Sequence, residues 1–474
     1  MTTAASGTGG ALSFPPGFAW GAATAAYQIE GAPDADGKGP SSWDTFSHTP
    51  GCVRGGDTGD IACDSYHRYP EDVALMASLG LNAYRFSISW PRVQPTGTGP
   101  VNPAGIAYYH AVLDQLAGAG IAPAITLHHW DLPQALQDQG GWADRDTAYR
   151  FAEYAGLMAA EFGGKVARWI TLNEPQVLES HGYRLGEHAP GLRDNDAAVA
   201  ATHHLLLGHG LAVQALRAAL PAGAEVGITL DSHPVQVLGD SRAENLEQAR
   251  LVIDAELNGI FLEPLLEGRY PEHAGRDLVP PPSLVHDGDL EAINQPIDFL
   301  GVNYYTSVYL RSGDAADLRQ HERKPRTTVP AGVVEYRPPE LEVTPMGWQV
   351  DAEGLYEHLL RLTKQAPGLA LYVTENGCAA EDYVTPEGVV NDIERVKYLH
   401  EHLEACARAI RDGANLAGYY VWSLLDNFEW GYGYQRRFGI VYVDFPTQRR
   451  IPKASAEFYA SVARAGAVPA LPAG

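Results

Sequence analysis

The stretch Ala83–Leu127 reads AYRFSISWPRVQPTGTGPVNPAGIAYYHAVLDQLAGAGIAPAITL, and its reading decides the fold. A short β-type run, Ala83–Ile88, is followed by an amphipathic helical pattern over Ala104–Ala119 and a second β-type run, Ala122–Leu127. Pro103 stands at the helix start and Gly120 just beyond its end, the two caps expected of a helix joining parallel strands. Working outward, the same alternation fills the chain. Further strands are expected at Phe18–Ala23, Arg168–Leu172, Val226–Leu230, Asp298–Val302, Ala370–Thr374 and Ala417–Ser423. Helical patterns lie at Tyr69–Leu79, Asp144–Phe162, Ala197–Ala219, Ala243–Leu257, Ala352–Thr363, Ile393–Asp412 and Lys453–Arg464, with Gly80 and Gly163 as further stops.

Eight such units closing on themselves make an α/β fold of the (β/α)8 or TIM-barrel type, expected here as one domain over 13–474 behind a flexible tail, Met1–Leu12. Such a barrel needs about 250 residues, so roughly 220 of this chain are insertion. Ala32–Asp64, Pro175–Asp196, Glu263–Gln295 and Thr306–Asp351 are rich in Gly, Pro and charge without strong periodicity, and read as long loops walling a pocket.

Composition narrows the function classes. The 474 residues are 45% hydrophobic and 19% charged, an ordinary globular balance, with a net charge of −24 that opposes nucleic acid and anionic lipid. There is no apolar run of about 18 residues and no basic or apolar leader in Met1–Gly10, which predicts a cytoplasmic protein without membrane attachment. Cys52, Cys63, Cys378 and Cys406 are too few for a disulfide scaffold and lack CxxC spacing; a Cys52–Cys63 bridge stays open for an exporting host.

In a barrel of this kind chemistry sits at the C-terminal ends of the strands. Those ends read Gln28-Ile29-Glu30-Gly31, Tyr84-Arg85-Phe86-Ser87, His128-His129-Trp130, Thr171-Leu172-Asn173-Glu174-Pro175, Asn303-Tyr304-Tyr305, Thr374-Glu375-Asn376-Gly377 and Trp422-Ser423-Leu424-Leu425-Asp426-Asn427-Phe428-Glu429-Trp430. Glu174 and Glu375 end the fourth and seventh runs and so nearly face each other across the mouth. Paired carboxylates across a small gap are the machinery of glycosidic cleavage, whereas a lone strand-end glutamate is more often half of an ordinary ion pair. The surrounding amides, imidazoles and indoles suit the hydroxyl edges and C–H faces of a neutral sugar. Adjacent His128 and His129 point to opposite sides of a strand and there is no HExxH spacing, so no metal is expected. His204 and His209 read as ordinary helix packing.

Together the segments Gln-Ile-Glu-Gly, Thr-Leu-Asn-Glu-Pro, Asn-Tyr-Tyr, Thr-Glu-Asn-Gly and Trp-Ser-Leu-Leu-Asp-Asn-Phe-Glu-Trp resemble glycoside hydrolase family 1, the β-glucosidases and their relatives, in order from Phe18 to Tyr459. Phe14–Gly21 and Arg437–Asp444 are similar to the family's two terminal signatures. The resemblance implies a cofactor-free retaining double displacement on β-glucosides, overlapping β-fucosides and β-galactosides, with Glu174 as acid/base and Glu375 as nucleophile. Arg85 and Tyr305 can hold that nucleophile ionised. It further implies that Gln28, His129, Asn173, Glu429 and Trp430 hold the sugar's hydroxyls, that Trp422 stacks beneath the ring, and that Trp348 lines the aglycone side. The chain departs from many relatives at Gln176-Val177, where a Trp-containing continuation is more usual, with His181 in the same loop. Alternatives are a 6-phospho-β-glycosidase, a thioglucosidase, which would carry Gln at position 174, and a non-catalytic saccharide-binding barrel. The partner expected is a small saccharide or glucoside; homo-oligomerisation is left open.

Overall fold

The structure is a computed structural model that describes residues 12–238, 244–275, 277–313 and 332–469. Eight strands form a closed barrel: β1 Ala19–Ala23, β2 Ala83–Ser87, β3 Ala122–His128, β4 Arg168–Asn173, β5 Glu225–Ser232, β6 Phe299–Tyr304, β7 Ala370–Asn376 and β8 Leu416–Trp422. Each pairs in parallel with its neighbours in chain order, and β8 closes onto β1 through Ala19 against Gly418 to Ala23 against Trp422. The principal helices are α1 Ser65–Leu79, α2 Pro103–Gly118, α3 Asp146–Phe162, α4 Asn195–Ala219, α5 Glu244–Asp254, α6 Ala352–Gln365, α7 Ile393–Arg411 and α8 Ala454–Ala465. All eight expected strands and helices are present, with ends displaced by a few residues.

Local chemistry explains their boundaries. Asn102, Asp194 and Asp351 accept hydrogen bonds from the first-turn amides of α2, α4 and α6, and Gly80 ends α1 in the left-handed region at φ 77°. The expected stop at Gly163 behaves differently, with a helical φ of −53°. The N-terminal mouth of the barrel is closed by Arg168, whose guanidinium reaches Glu225 at 2.9 Å, Tyr372 Oη at 2.7 Å and Tyr420 Oη at 3.1 Å.

The expected loops carry more order than their composition suggests. Ala32–Asp64 contains a helix at Ser42–Ser47, started by a reciprocal cap between Ser41 and Asp44. Glu263–Gln295 overlaps the helix Ile260–Glu267 and holds another at Asp289–Ile293. Within Thr306–Asp351, strands Val308–Ser312 and Val333–Tyr336 join Val235–Val237 in a separate small sheet over its own apolar cluster. The tail expected over Met1–Leu12 lies outside the described residues except for Leu12, whose carbonyl accepts from Val468 N at 3.0 Å. The Cys52–Cys63 bridge does not form: both are free thiols, and buried Cys63 donates to the Asp426 carbonyl at 3.0 Å. Among the described residues no helix is long and apolar enough to cross a membrane.

Candidate active site

Two glutamates meet at the C-terminal mouth, and the strands that carry them hold each differently. Glu174 follows β4 with a left-handed backbone, φ 42°, an uncommon conformation for a residue with a Cβ. Its amide leaves β4 to bond Thr229 O of β5 at 2.9 Å, and Pro175 opens the next helical turn. This turn lifts the carboxyl into the mouth, where Asn303 Nδ2 of β6 donates to Glu174 Oε1 at 2.7 Å. Glu375 lies within β7, opposite Asn303. Its Oε1 accepts from Arg85 Nη1 at 2.5 Å and its Oε2 from Tyr305 Oη at 2.7 Å. Arg85, wholly buried on β2, uses Nη2 to reach Asn173 Oδ1 at 2.6 Å and Nε to reach Thr126 Oγ1 at 3.2 Å.

Asn303 is the hub. Thr374 Oγ1 donates to its Oδ1 at 2.8 Å, which turns Nδ2 toward the carboxyl groups. That nitrogen bonds Glu174 and also lies close enough to stabilise the charge of Glu375.

Electrostatics separates two chemically identical groups. Glu174 is pushed well above the usual carboxylate range by burial first, then by the charges of Glu375 and Asp231. Burial also raises Glu375, but Arg85, Tyr305 and Asn303 all pull against it, so Glu375 is the member of the pair that ionises first. The arrangement can hold one carboxyl protonated beside one carboxylate, which is what acid-assisted covalent displacement requires. Neither is an ordinary surface ion: Glu375 pairs with Arg85, but both partners are buried at the mouth, and Glu174 meets a neutral amide.

The other residues singled out from sequence lie around this pair. Gln28 Nε2 is fixed by Phe428 O at 2.8 Å and Asn427 Oδ1 at 3.1 Å. His129 Nε2 accepts from Asn173 Nδ2 at 3.0 Å, which leaves the ring proton on Nδ1; burial holds this ring well below the usual histidine range and therefore neutral. Gln28 Oε1, His129 Nδ1 and Glu429 Oε2 are buried without a protein hydrogen-bond partner. The ring of His129 lies 5.9 Å from those of both Trp422 and Trp430, nearly parallel to each. Trp348 is half-buried against Tyr305 at 5.2 Å and Phe438 at 6.0 Å. His128 faces the other way, accepting from Trp142 Nε1 at 3.2 Å, and among the described residues no cluster fit to hold a metal occurs.

The strand ends quoted from the sequence include Asn303 and Trp130 with no task for either, and Asp231 is not among them. Trp130 has φ 78° and donates from Nε1 to Asn173 O at 2.9 Å, so it pins the strand end next to Glu174. The signal for Asn303 and Trp130 was their place at strand ends; for Asp231 nothing in spacing pointed to the pair.

With this geometry in place, comparison with known proteins is specific. Residues 11–467 match the model of glycosyl hydrolase family 1. The chain is 50% identical over 468 residues to thermostable beta-glucosidase B of Thermobispora bispora, covering 97% of this chain and 93% of that one. It is 45% identical to a bifunctional beta-D-glucosidase/beta-D-fucosidase of Bifidobacterium breve, covering 94% and 97%. Among solved structures, the beta-glucosidase from Thermotoga maritima in complex with deoxynojirimycin superposes with a TM-score of 0.88 at 42% identity, covering 97% of this chain and all of that one. The closed eight-stranded barrel, the carboxyl pair at its mouth and these likenesses lead to one conclusion: the chain belongs to glycosyl hydrolase family 1.

Proposed function

We propose that this protein is a retaining β-glucosidase in which Glu375 is the nucleophile and Glu174 the acid/base. The observation that carries the reading is the opposite bias of the two carboxyl groups around Asn303. Glu375 Oε2, freed from Tyr305 as the bond forms, attacks the anomeric carbon while the glycosidic bond breaks and Glu174 gives its proton to the departing oxygen. Once the nucleophile is esterified its negative charge is gone, so Glu174 becomes the stronger acid it needs to be to have released its proton. It then takes a proton from the water that attacks the same carbon, and Glu375 leaves as a carboxylate. Gln28, His129, Glu429 and Trp430 hold the sugar's hydroxyls, Asn173 the 2-hydroxyl, where hydrogen bonds strengthen in the transition state, and Trp422 its face. Trp348 lines the aglycone side. The relative named for both glucosidase and fucosidase activity supports extension of the substrate range to β-fucosides.

Two variants test the roles. Glu375→Gly is expected to lose several orders of magnitude in turnover and to regain part of it with azide, giving an α-configured product; a β product under rescue refutes the nucleophile assignment. Glu174→Ala is expected to lose far more on cellobiose than on 2,4-dinitrophenyl β-glucoside, whose leaving group departs without a proton. Equal losses on the two substrates refute the acid/base assignment. Glu179, the other buried glutamate of the following loop, is held by Arg184 at 2.9 Å, its carboxyl pushed up to about 6 by burial.

A further inference from the structure

Beside Glu174, on the neighbouring strand, stands a third acidic residue that the reaction scheme above does not use. Asp231 lies near the end of β5 and is the register partner of Asn303, the residue whose amide touches Glu174. Two residues earlier, Thr229 sends its hydroxyl into the barrel toward Thr374 Oγ1 at 3.3 Å, and strand alternation puts Asp231 on that same inward side. Its position is held from two directions. His233 Nε2 meets Asp231 Oδ2 at 2.7 Å, and the His233 backbone is clamped by both ends of the Asn258 amide, N to Oδ1 at 3.1 Å and Nδ2 to O at 2.9 Å. Gln176, two residues after Glu174, donates from Nε2 to the Asp231 carbonyl at 3.0 Å. The unusual Gln176 therefore ties the loop that carries Glu174 to the strand that carries Asp231.

We propose that Asp231, fixed by His233 and Gln176, is a positioning residue that keeps Glu174 protonated between turnovers. The proposal rests on the acid/base role assigned to Glu174 above. Its basis is direct electrostatics: a carboxylate on the adjacent strand disfavours a second negative charge at Glu174. The charged and titratable groups facing Glu174 are Glu375 from β7, Asp231 from β5, Arg85 from β2 and Tyr305 after β6. Arg85 favours the ionised form but is bound to Glu375 and Asn173, and Glu375 loses its charge on forming the glycosyl-enzyme. Asp231 is not esterified, so its influence persists through both half-reactions. The groups that face Asp231 include His233, just after β5, and His358 of α6, which shares a small cavity with Asp231 and Gln176 and is kept neutral by burial. A carboxylate that forms no bond to the sugar acts in both half-reactions, on the proton affinity of the acid before the first step and of the base in the second.

The basic limb of kcat/KM against pH reports the acid in the free enzyme. With phenyl β-glucoside, whose departure needs a proton, Asp231→Asn is expected to move that limb down by about half to one pH unit. Asp231→Glu, which restores the charge, is expected to return it to the wild-type position; should the Asn variant not fold, Asp231→Ser is read in the same way. On 2,4-dinitrophenyl β-glucoside the wild type and the variant are expected to share one profile. A limb that stays in place on phenyl β-glucoside while the plateau falls makes Asp231 merely structural and overturns the proposal. A wild-type basic limb that is the same on both glucosides instead overturns the acid/base role of Glu174 on which it rests.

Discussion

Glu429 shows how one side chain selects among closely related substrates. It is buried at the pocket wall, and burial together with the charge of Glu375 pushes its carboxyl up to about 8, with no cation among the described residues pulling the other way. A carboxyl in that state exchanges hydrogen bonds with neutral hydroxyls, and its Oε2 has no other partner. A 6-phosphate placed there meets a wall already hostile to negative charge, and Arg85, the buried cation beside Glu375, is occupied by Glu375 and Asn173. In a partly desolvated site this clash amounts to several kcal/mol, or at least about a thousandfold in kcat/KM at about 1.4 kcal/mol per decade. Wild-type rates on p-nitrophenyl β-glucoside and its 6-phosphate are therefore expected to differ by that factor, with Glu429→Ser narrowing the gap. Comparable wild-type rates refute the assignment of Glu429 to the sugar's hydroxyls.

At the scale of elements, the strands were legible because each is a short run bounded by glycine, proline or polar residues, and because the helices between them carry caps such as Asn102-Pro103 that work locally. The insertions were not legible for the opposite reason. Val308–Ser312 pairs with Val235–Val237, some seventy residues away in the sequence, as well as with Val333–Tyr336, and Ile260–Glu267 carries an internal proline, Pro264, that argues against the helix it forms. Packing between elements also makes demands that composition does not show. A Cβ on Gly377 would lie 1.8 Å from the carbonyl oxygen of Trp422, and one on Gly210 of α4 would lie 1.8 Å from that of Ala292. Both contacts are backbone and cannot be relieved by a rotamer change, so Gly377→Ala and Gly210→Ala are each expected to cost about 1–3 kcal/mol or more in stability. Their effects on catalysis should diverge. Gly377 stands two residues after Glu375 against the end of β8, where a shift of the order of 1 Å costs about a hundredfold in rate. Gly210 packs against a peripheral helix, so its variant should lose melting temperature while kcat/KM on p-nitrophenyl β-glucoside stays within a few-fold of wild type. Equal catalytic losses in the two variants would contradict this division between the wall of the site and the outer helices.

For the whole molecule, closure of the barrel and the approach of β4 to β7 could be reasoned from eight repeats, but the buried hydrogen-bond network that makes the pair asymmetric could not, because it depends on which way Asn303 and Arg85 point after the ring closes. Closure also buries many titratable groups, and they set how the fold responds to pH. His128 and His209 are driven to about 3, and His204 and His402 to about 4, chiefly by burial. His209, on α4, is representative: its Nδ1 meets Thr171 Oγ1 at 2.7 Å and its Nε2 has no partner. In the unfolded chain such a ring binds a proton below about 6.5. Between that value and its folded value the unfolded state holds the extra proton, so stability from the neutral ring is complete above pH 6.5 and is lost as the pH falls toward 3. Asp131 acts in the reverse sense, because burial pushes its carboxyl up to about 8. The folded state then keeps a proton that the unfolded chain releases above about 3.9, so stability is complete at low pH and is lost as the pH rises through 8. Denaturant titrations of the wild type, His209→Gln and Asp131→Asn from pH 4.5 to 8.5 separate the two. His209→Gln is expected to remove up to one proton's worth of slope, about 1.4 kcal/mol per pH unit, below about pH 6.5 only, and Asp131→Asn to flatten a decline that runs on from about pH 4 to 8. If His209→Gln lowers stability by the same amount at every pH, the ring is not held neutral by the fold, and the acid sensitivity of this barrel has another origin.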